Sequence, residues 1–298
     1  MDNVISKLDD TYKILKGESL SKYTTYKVGG IAKYIVYPSS ISKLVDLVKL
    51  LRDSNIKFKV IGNGSNLIFS SKVYDGVIIK LNNLNNVLYE DNILTVDAGY
   101  PVIKLAMETA NKGLSGLEFA SGIPGTISGL TYMNAGAYTK EMADIVKEVT
   151  VLDDKNNIIT LSNKDMNFSY RSSILKEKDY IILSVKIVLE HKNKDDILSL
   201  IEDRKRRRIE SQPLEYPSAG SVFRNPEGLS SWKLIDDLKL KGYSIGGASV
   251  SKKHANFIIN ENNASAEDIK ELIFFVKQRV KEEYDIDLVV EQEFVNWE

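Results

Sequence analysis

The sequence predicts an α+β fold. Short strands and amphipathic helices follow one another without the strict strand–helix alternation of a doubly wound sheet. Its two glycine-rich segments also miss the fingerprints that accompany such sheets. Gly62-Asn-Gly-Ser-Asn66 has Leu67 where the third glycine of G-x-G-x-x-G belongs, and neither segment is followed by the Gly-Lys-Ser/Thr of a P-loop.

The elements are predicted in order along the chain. Ser40 to Asn55 carries Ile41, Leu44, Val45, Val48 and Leu51 on one helical face, with Ser39 or Ser40 as the cap. Strands are expected at Lys57–Ile61, Gly76–Leu81 and Leu94–Ala98. Pro101 to Asn111 reads as a helix with proline in its first turn and Gly113 past its end. Thr126 to Met133 starts another. Glu148–Leu152 and Ile158–Leu161 form a hairpin about Asp153-Asp-Lys-Asn-Asn157, and Tyr180 to Glu190 is an Ile/Val-rich strand. Asp195 to Ile209 is helical until Pro213 and Pro217 break the pattern. A short helix near Trp232–Leu238 and a strand at Asn256–Asn260 come next. A long helix opens at Ser265, where Ser265 and Asp268 resemble a capping box. Asp285 to Phe294 is the expected last strand, with Glu291 and Glu293 on the face opposite Leu288, Val290 and Phe294.

Size and composition exclude several classes. A chain of 298 residues suggests two or three domains. A net charge of −1 gives no field to gather nucleic acid, and the one dense basic run, Arg204-Lys-Arg-Arg-Arg208, reads as a solvated helix face. No apolar run suits a membrane helix, and the first ten residues lack the regions of a signal peptide, so a cytoplasmic protein is expected. With no Cys and two His, His191 and His254, neither a thiolate nucleophile nor a zinc site is expected. His254 reads as a hydrogen-bonded structural residue. Any hard redox step must be carried by a cofactor.

The segment from Glu118 to Tyr138 says most about function. It sets Gly122, Gly125, Gly129 and Gly136 among small side chains, Pro124 and Asn134. Glycine lets another molecule approach the backbone, loop N–H groups make an anion-binding concavity, and the helix starting at Thr126 adds its N-terminal end. With Gly62–Asn66, two such loops far apart in sequence fit the two ends of one long phosphate-bearing cofactor. Three further islands stand out. Arg171 lies among the small polar groups of Asn167–Ser173, Ser221 follows Gly220 directly, and Glu291 lies in the last strand.

These islands together resemble the UDP-N-acetylenolpyruvoylglucosamine reductases, and their spacing resembles the shorter, type II branch. The resemblance runs from about Thr24 to Glu293. It rests on Thr24-Thr-Tyr-Lys-Val-Gly-Gly30, Gly62–Asn66, Ser121-Gly-Ile-Pro-Gly-Thr126, Met133-Asn-Ala-Gly-Ala137, Tyr170-Arg171, Pro217–Ser221, Phe223-Arg-Asn-Pro226, Lys233-Leu-Ile235, His254-Ala-Asn-Phe257 and Glu291.

The resemblance implies two FAD-binding subdomains of the vanillyl-alcohol-oxidase type, residues 1–81 and 82–211, and a C-terminal α+β substrate domain, 212–298. Residues 286–298 are expected back near the first subdomain. It implies FAD held noncovalently by Gly62, Asn63, Gly64, Ser65, Asn66, Gly122, Ile123, Pro124, Gly125, Thr126, Asn134, Ala135, Gly136 and Ala137. NADPH is the implied reductant and the enolpyruvyl ether of UDP-N-acetylglucosamine the implied substrate, in a monomer. Ser221 is then the general acid, Arg171 and Glu291 stabilise an enolate, and Tyr170, Arg171 and Lys233 touch the substrate. The alternative is another FAD-dependent oxidase or dehydrogenase acting on a different hydroxylated or sugar substrate. Two positions depart from the family pattern: Ser128 in Gly125-Thr-Ile-Ser-Gly129, where glycine is usual, and Ser169 before Tyr170-Arg171.

Overall fold

A computed structural model describes residues 1–298. The chain forms two compact units, Met1–Lys16 with Tyr34–Asn63 and Asp75–Arg206, and Gly17–Lys33 with Gly64–Tyr74 and Arg207–Glu298. No helix is long and apolar enough to cross a membrane.

The first unit holds most of a four-stranded sheet in the order Tyr12–Ser19, Ile31–Pro38, Tyr74–Lys80, Phe58–Ile61. Its last two strands run parallel, Phe58 opposite Val77 and Ile61 opposite Lys80. A parallel pair needs a crossover, and Leu67–Phe69 intervenes in sequence between its two members. The helix Ile41–Asp53 buries Leu44, Leu47, Val48 and Leu51 completely. Ser40 Oγ caps it by accepting from the Lys43 N–H at 3.2 Å. A five-stranded antiparallel sheet follows, in the order Ile158–Ser162, Val146–Leu152, Ile181–Val188, Ile93–Asp97, Val87–Glu90. Its buried Val149, Val151, Val185, Ile187, Leu94 and Val96 join the core of the helices Val102–Asn111 and Ile127–Tyr132. The predicted hairpin at 148–161 is present, with Leu152 opposite Ile158.

The second unit packs the helix Ala266–Tyr284 against a three-stranded antiparallel sheet, Ser244–Ile245, Ala248–Val250 and Ile258–Asn260. The capping box is formed, Ser265 Oγ accepting from the Asp268 N–H and Asp268 Oδ2 from the Ser265 N–H, each at 3.0 Å. Ile269, Leu272, Ile273, Val276 and Val280 form the helix's fully buried stripe.

The expected strand Asp285–Phe294 is corrected. Asp285 ends the preceding helix in the left-handed region, φ 55°, and only Glu293–Val295 is a strand, parallel to Leu67–Phe69. Before it the chain changes partner. Arg224 N–H donates to Val289 O, Glu291 N–H to Val222 O at 2.8 Å, and Glu293 N–H to Asn66 O at 2.9 Å. Two successive partners satisfy the backbone, so no single ladder grows to the full length.

Candidate active site

Gly62 and Thr126, one residue from each glycine-rich segment, meet in the first unit. Gly62 leaves the strand Phe58–Ile61 and lies against Thr126, where a Cβ on residue 62 would fall 2.4 Å from Thr126 Oγ1. Gly64 has φ +65°, and a Cβ there would fall 2.1 Å from the Tyr23 carbonyl. Each glycine is therefore required by the space around it and, at Gly64, by the backbone as well. The N–H groups of Gly62, Asn63, Gly64 and Ser65 donate to no group of the chain, nor do those of Gly122 and Thr126. Such N–H groups suit diphosphate oxygens. Asn66 leaves this turn with its Nδ2 donating to Glu291 O. Lys80, 5% exposed, donates from Nζ to the Gly62 carbonyl beneath the turn.

The helix start at Thr126 does not serve as an open anion site. The Ile127 N–H donates to Tyr100 O, the Ser128 N–H to Ala98 O and the Gly129 N–H to Thr126 Oγ1. The expectation of a free helix end is thus corrected, because neighbouring carbonyls and the cap consume its donors. Ser128 is also accounted for: it is buried, and its hydroxyl lies 3.1 Å from Thr126 Oγ1. Ile123 is half-buried, Pro124 exposed and Gly125 buried; the Gly125 carbonyl accepts the Val102 N–H where the helix Val102–Asn111 begins.

Asn134 is fully buried with φ 42°. Its Nδ2 donates to Ser169 O and its Oδ1 accepts the Ala143 N–H, both at 2.9 Å. It therefore ties the Met133–Ala137 segment to the loop that carries Arg171. In that loop Ser169 and Ser172 exchange backbone hydrogen bonds, and Arg171 sits between them in the left-handed region, φ 57°. Arg171 is half-buried, donates from Nη2 to Gly136 O at 2.7 Å, and lies 5.1 Å from the centroid of the exposed Tyr170 ring. Ala135 accepts the Met142 N–H, and Gly136–Ala137 pairs with Lys140–Glu141.

In the second unit, Ser221 follows Gly220, φ +75°, and is half-buried. Glu291, half-buried, lies on the neighbouring segment through its backbone bond to Val222. Residues 70 apart in sequence thus become neighbours. Lys233 is exposed on the helix Ser231–Asp237. His254 is half-buried, its Nδ1 accepting from the Asn256 N–H and its ring edge-on to Phe257, and burial lowers its pKa from 6.5. That is the structural role expected of it.

Sequence reasoning missed Tyr26, Lys80, Asn256 and Gln292. Tyr26 and Asn256 fall in segments that carry the family resemblance, which was the available signal. Lys80 and Gln292 carry none: Lys80 ends an apolar strand run, and Gln292 stands between two glutamates.

This architecture, with two glycine-rich turns offering unpaired N–H groups, is that of a flavin-binding oxidoreductase. Residues 32–162 match the model of an FAD binding domain, and residues 212–295 the C-terminal domain of UDP-N-acetylenolpyruvoylglucosamine reductase. The chain is 46% identical over 283 residues to the UDP-N-acetylenolpyruvoylglucosamine reductase of Caldanaerobacter subterraneus subsp. tengcongensis, covering 95% of this chain and 94% of the relative. It is 41% identical to that of Bacillus subtilis, covering 99% of each. The crystal structure of the Thermus caldophilus reductase (MurB) superposes with a TM-score of 0.80 at 33% identity, covering 95% of this chain and 98% of that one. A variant of Phl p 4, a glucose oxidase, matches 64% of this chain and 44% of its own at a TM-score of 0.50 and 14% identity, a likeness of fold alone. The chain belongs to the UDP-N-acetylenolpyruvoylglucosamine reductase family.

Proposed function

We propose that the protein catalyses the NADPH-dependent reduction of the enolpyruvyl ether of UDP-N-acetylglucosamine to UDP-N-acetylmuramate, a step of peptidoglycan precursor synthesis in the cytoplasm. Residues 1–81 and 82–211 hold the flavin noncovalently, and 212–298 bind substrate. The turn Gly62–Asn66 and the segments 122–126 and 134–137 receive the cofactor, the unpartnered N–H groups meeting its diphosphate. Bound FAD, reduced by NADPH, supplies the hydride that adds to the terminal methylene carbon of the enolpyruvyl group.

The remaining steps fall to the chain's own residues. As the hydride adds, the π pair moves toward the carboxylate and an enolate forms. The Arg171 guanidinium offers a planar fork to that carboxylate, and Glu291, carrying its proton, donates a second hydrogen bond to the developing charge. The Ser221 hydroxyl gives its proton to the adjacent carbon, and solvent restores it. A hydroxyl is a weak acid, so this role depends on placement within hydrogen-bond reach of the carbon. Tyr170 and Lys233 contact the substrate.

What supports this reading, beyond family membership, is the bond from the Glu291 N–H to Val222 O, which brings the segments that carry the acid and the serine side by side. An anaerobic two-step spectrum tests it. NADPH bleaches the flavin bands, and the enolpyruvyl sugar then restores them. Purified holoprotein that NADPH bleaches but that sugar leaves colourless would overturn the substrate assignment.

A further inference from the structure

We propose that Gln292 and Asn256 are positioning residues that fix the direction of the Ser221 hydroxyl, with Tyr26 holding Gln292 in place. The proposal rests on the reading of Ser221 as proton donor. Ser221 sits at a weak point of the backbone. Gly220 before it has φ +75°, and nothing of the chain lies within 4 Å of where its Cβ would be. Ala219, Val222 and Phe223 around this turn are buried in the core of the second unit, but Gly220 and Ser221 add no core side chain, so hydrogen bonds set the direction of the peptides here.

They come from both sides. On the leading side, Gln292 Nε2 donates to Ala219 O at 3.2 Å, with a longer contact of 3.5 Å to Gly220 O. Gln292 Oε1 accepts from the Tyr26 hydroxyl at 3.1 Å. Tyr26 is wholly buried, and its own carbonyl accepts from Asn260 Nδ2 at 3.0 Å. On the trailing side, Asn256 grips Phe223 twice, Oδ1 accepting its N–H at 2.9 Å and Nδ2 donating to its carbonyl at 2.8 Å. The Asn256 carbonyl accepts the Val222 N–H at 2.9 Å. Peptides 219–220 and 222–223 are thereby pinned on either side of residue 221.

The chemistry of the two amides argues for this use. Gln292 and Asn256 are each 4% exposed. Gln292 stands in the register of Leu288, Val290 and Phe294, where an apolar side chain would cover the core without the desolvation that a primary amide costs. Asn256 instead spends its donor and acceptor on the main chain of Phe223, and Gln292 its donor on the main chain before Ser221 and its acceptor on Tyr26. Gln292 also follows Glu291 directly, so one short segment sets the acid and the hydroxyl together. Displacement of a reacting group by about 1 Å costs on the order of 100-fold in rate, which is what such a clamp prevents.

The test uses holoenzyme and separates the two half-reactions by stopped flow. Gln292→Met removes the amide at similar volume, and Tyr26→Phe removes only the hydroxyl. Both are expected to keep their FAD and to be reduced by NADPH within about two-fold of the parent, while re-oxidation by the enolpyruvyl sugar slows by about 100-fold in Gln292→Met and about 10-fold in Tyr26→Phe. Substrate affinity stays within a few-fold. Added to Ser221→Ala, Gln292→Met is expected to slow re-oxidation no further, since the two share one route. Equal slowing of both half-reactions, or a full further loss on top of Ser221→Ala, would make the clamp merely structural and overturn the proposal. If Gln292→Met fails to fold, Tyr26→Phe decides by the same criteria. Should Ser221→Ala itself re-oxidise normally, the reading of Ser221 falls. If Ser221→Ala is crippled and the other two are normal, only the clamp falls.

Discussion

Gly62 and Thr126 are in contact so close that residue 62 tolerates no side chain: a Cβ would lie 2.4 Å from Thr126 Oγ1 and 3.1 Å from its Cγ2. This contact fixes the start of the first glycine-rich turn against the second glycine-rich segment within the first unit. It also shows that glycine at 62 serves the protein's own packing, whatever it offers a ligand.

Gly62→Ala is therefore expected to strain both segments at once. Overpacking of this kind costs about 1–3 kcal/mol, and expressed in the geometry of the turn it lowers FAD affinity by about 10- to 100-fold. Flavin fluorescence titration of the apoprotein measures it. Thr126→Ala alone loses the cap on Gly129, about 1 kcal/mol, but removes the atom that the new methyl strikes. The double variant should thus bind FAD more tightly than Gly62→Ala alone. Weaker binding by the double variant would mean that the contact is not what excludes a side chain.

Asn134 offers a prediction of the opposite kind, a loss of bonds in place of a gain of bulk. Asn134→Ala leaves the Ala143 N–H without its acceptor and removes the donor to Ser169 O. It also places alanine at φ 42°, so a destabilisation of about 2–4 kcal/mol is expected. Because the Ser169 bond anchors the loop carrying Arg171, the folded fraction should be reduced by NADPH normally and re-oxidised slowly. Urea denaturation gives the first quantity and anaerobic stopped flow the second. Normal re-oxidation would show that the Arg171 loop holds its shape without Asn134.

Arg171 itself allows a sharper test. Arg171→Lys keeps the charge but loses the fork, and with it the bond to Gly136 O. Re-oxidation should slow by at least about 10-fold, while FAD content stays that of the parent. A lysine variant as fast as the parent would reduce the role of Arg171 to charge alone.

The helices were legible because each carries its own punctuation. Ser40, Pro101 with Gly113, and Ser265 with Asp268 bound apolar stripes that local periodicity reveals. The glycine turns were legible for the same reason. The last strand was not. Its alternation of Leu288, Val290 and Phe294 predicts one long ladder, yet the partner changes from 222–224 to 66–69, and partner choice is a tertiary matter that alternation does not encode. Nor does the pattern single out Tyr12–Ser19, where Lys13, Lys16 and Gly17 are exposed along one partly covered strand. At the site, the residue types were visible one by one. The pairing of 62 with 126 and of 222 with 291, and the two amides behind Ser221, exist only once distant segments meet.

Lys80 gives a pH dependence whose sign can be worked out. Its ammonium is buried under the Gly62 carbonyl, and burial pushes its pKa down to about 8 from 10.5. The unfolded chain keeps this proton until about pH 10.5, whereas the folded chain releases it near pH 8. Between those values the unfolded state binds more protons, so the apoprotein gains stability as pH rises, by up to about 1.4 kcal/mol per unit from this group. The gain is complete above pH 10.5 and is lost as pH falls through about 8. Burial raises the pKa of Tyr26 and Tyr74, which acts in the other direction only above their ordinary value of 10. Lys80→Met should remove the lysine slope and leave everything else in place. Urea denaturation of both apoproteins at steps from pH 7.5 to 9.5 measures this: the stability of the parent minus that of the variant should rise steadily with pH, because the parent alone gains. At pH 7 the variant should also bind FAD more weakly, since methionine cannot donate to the Gly62 carbonyl that shapes the turn. Parallel stability curves would mean that Lys80 stays charged throughout, held by the turn strongly enough to cancel the effect of its burial.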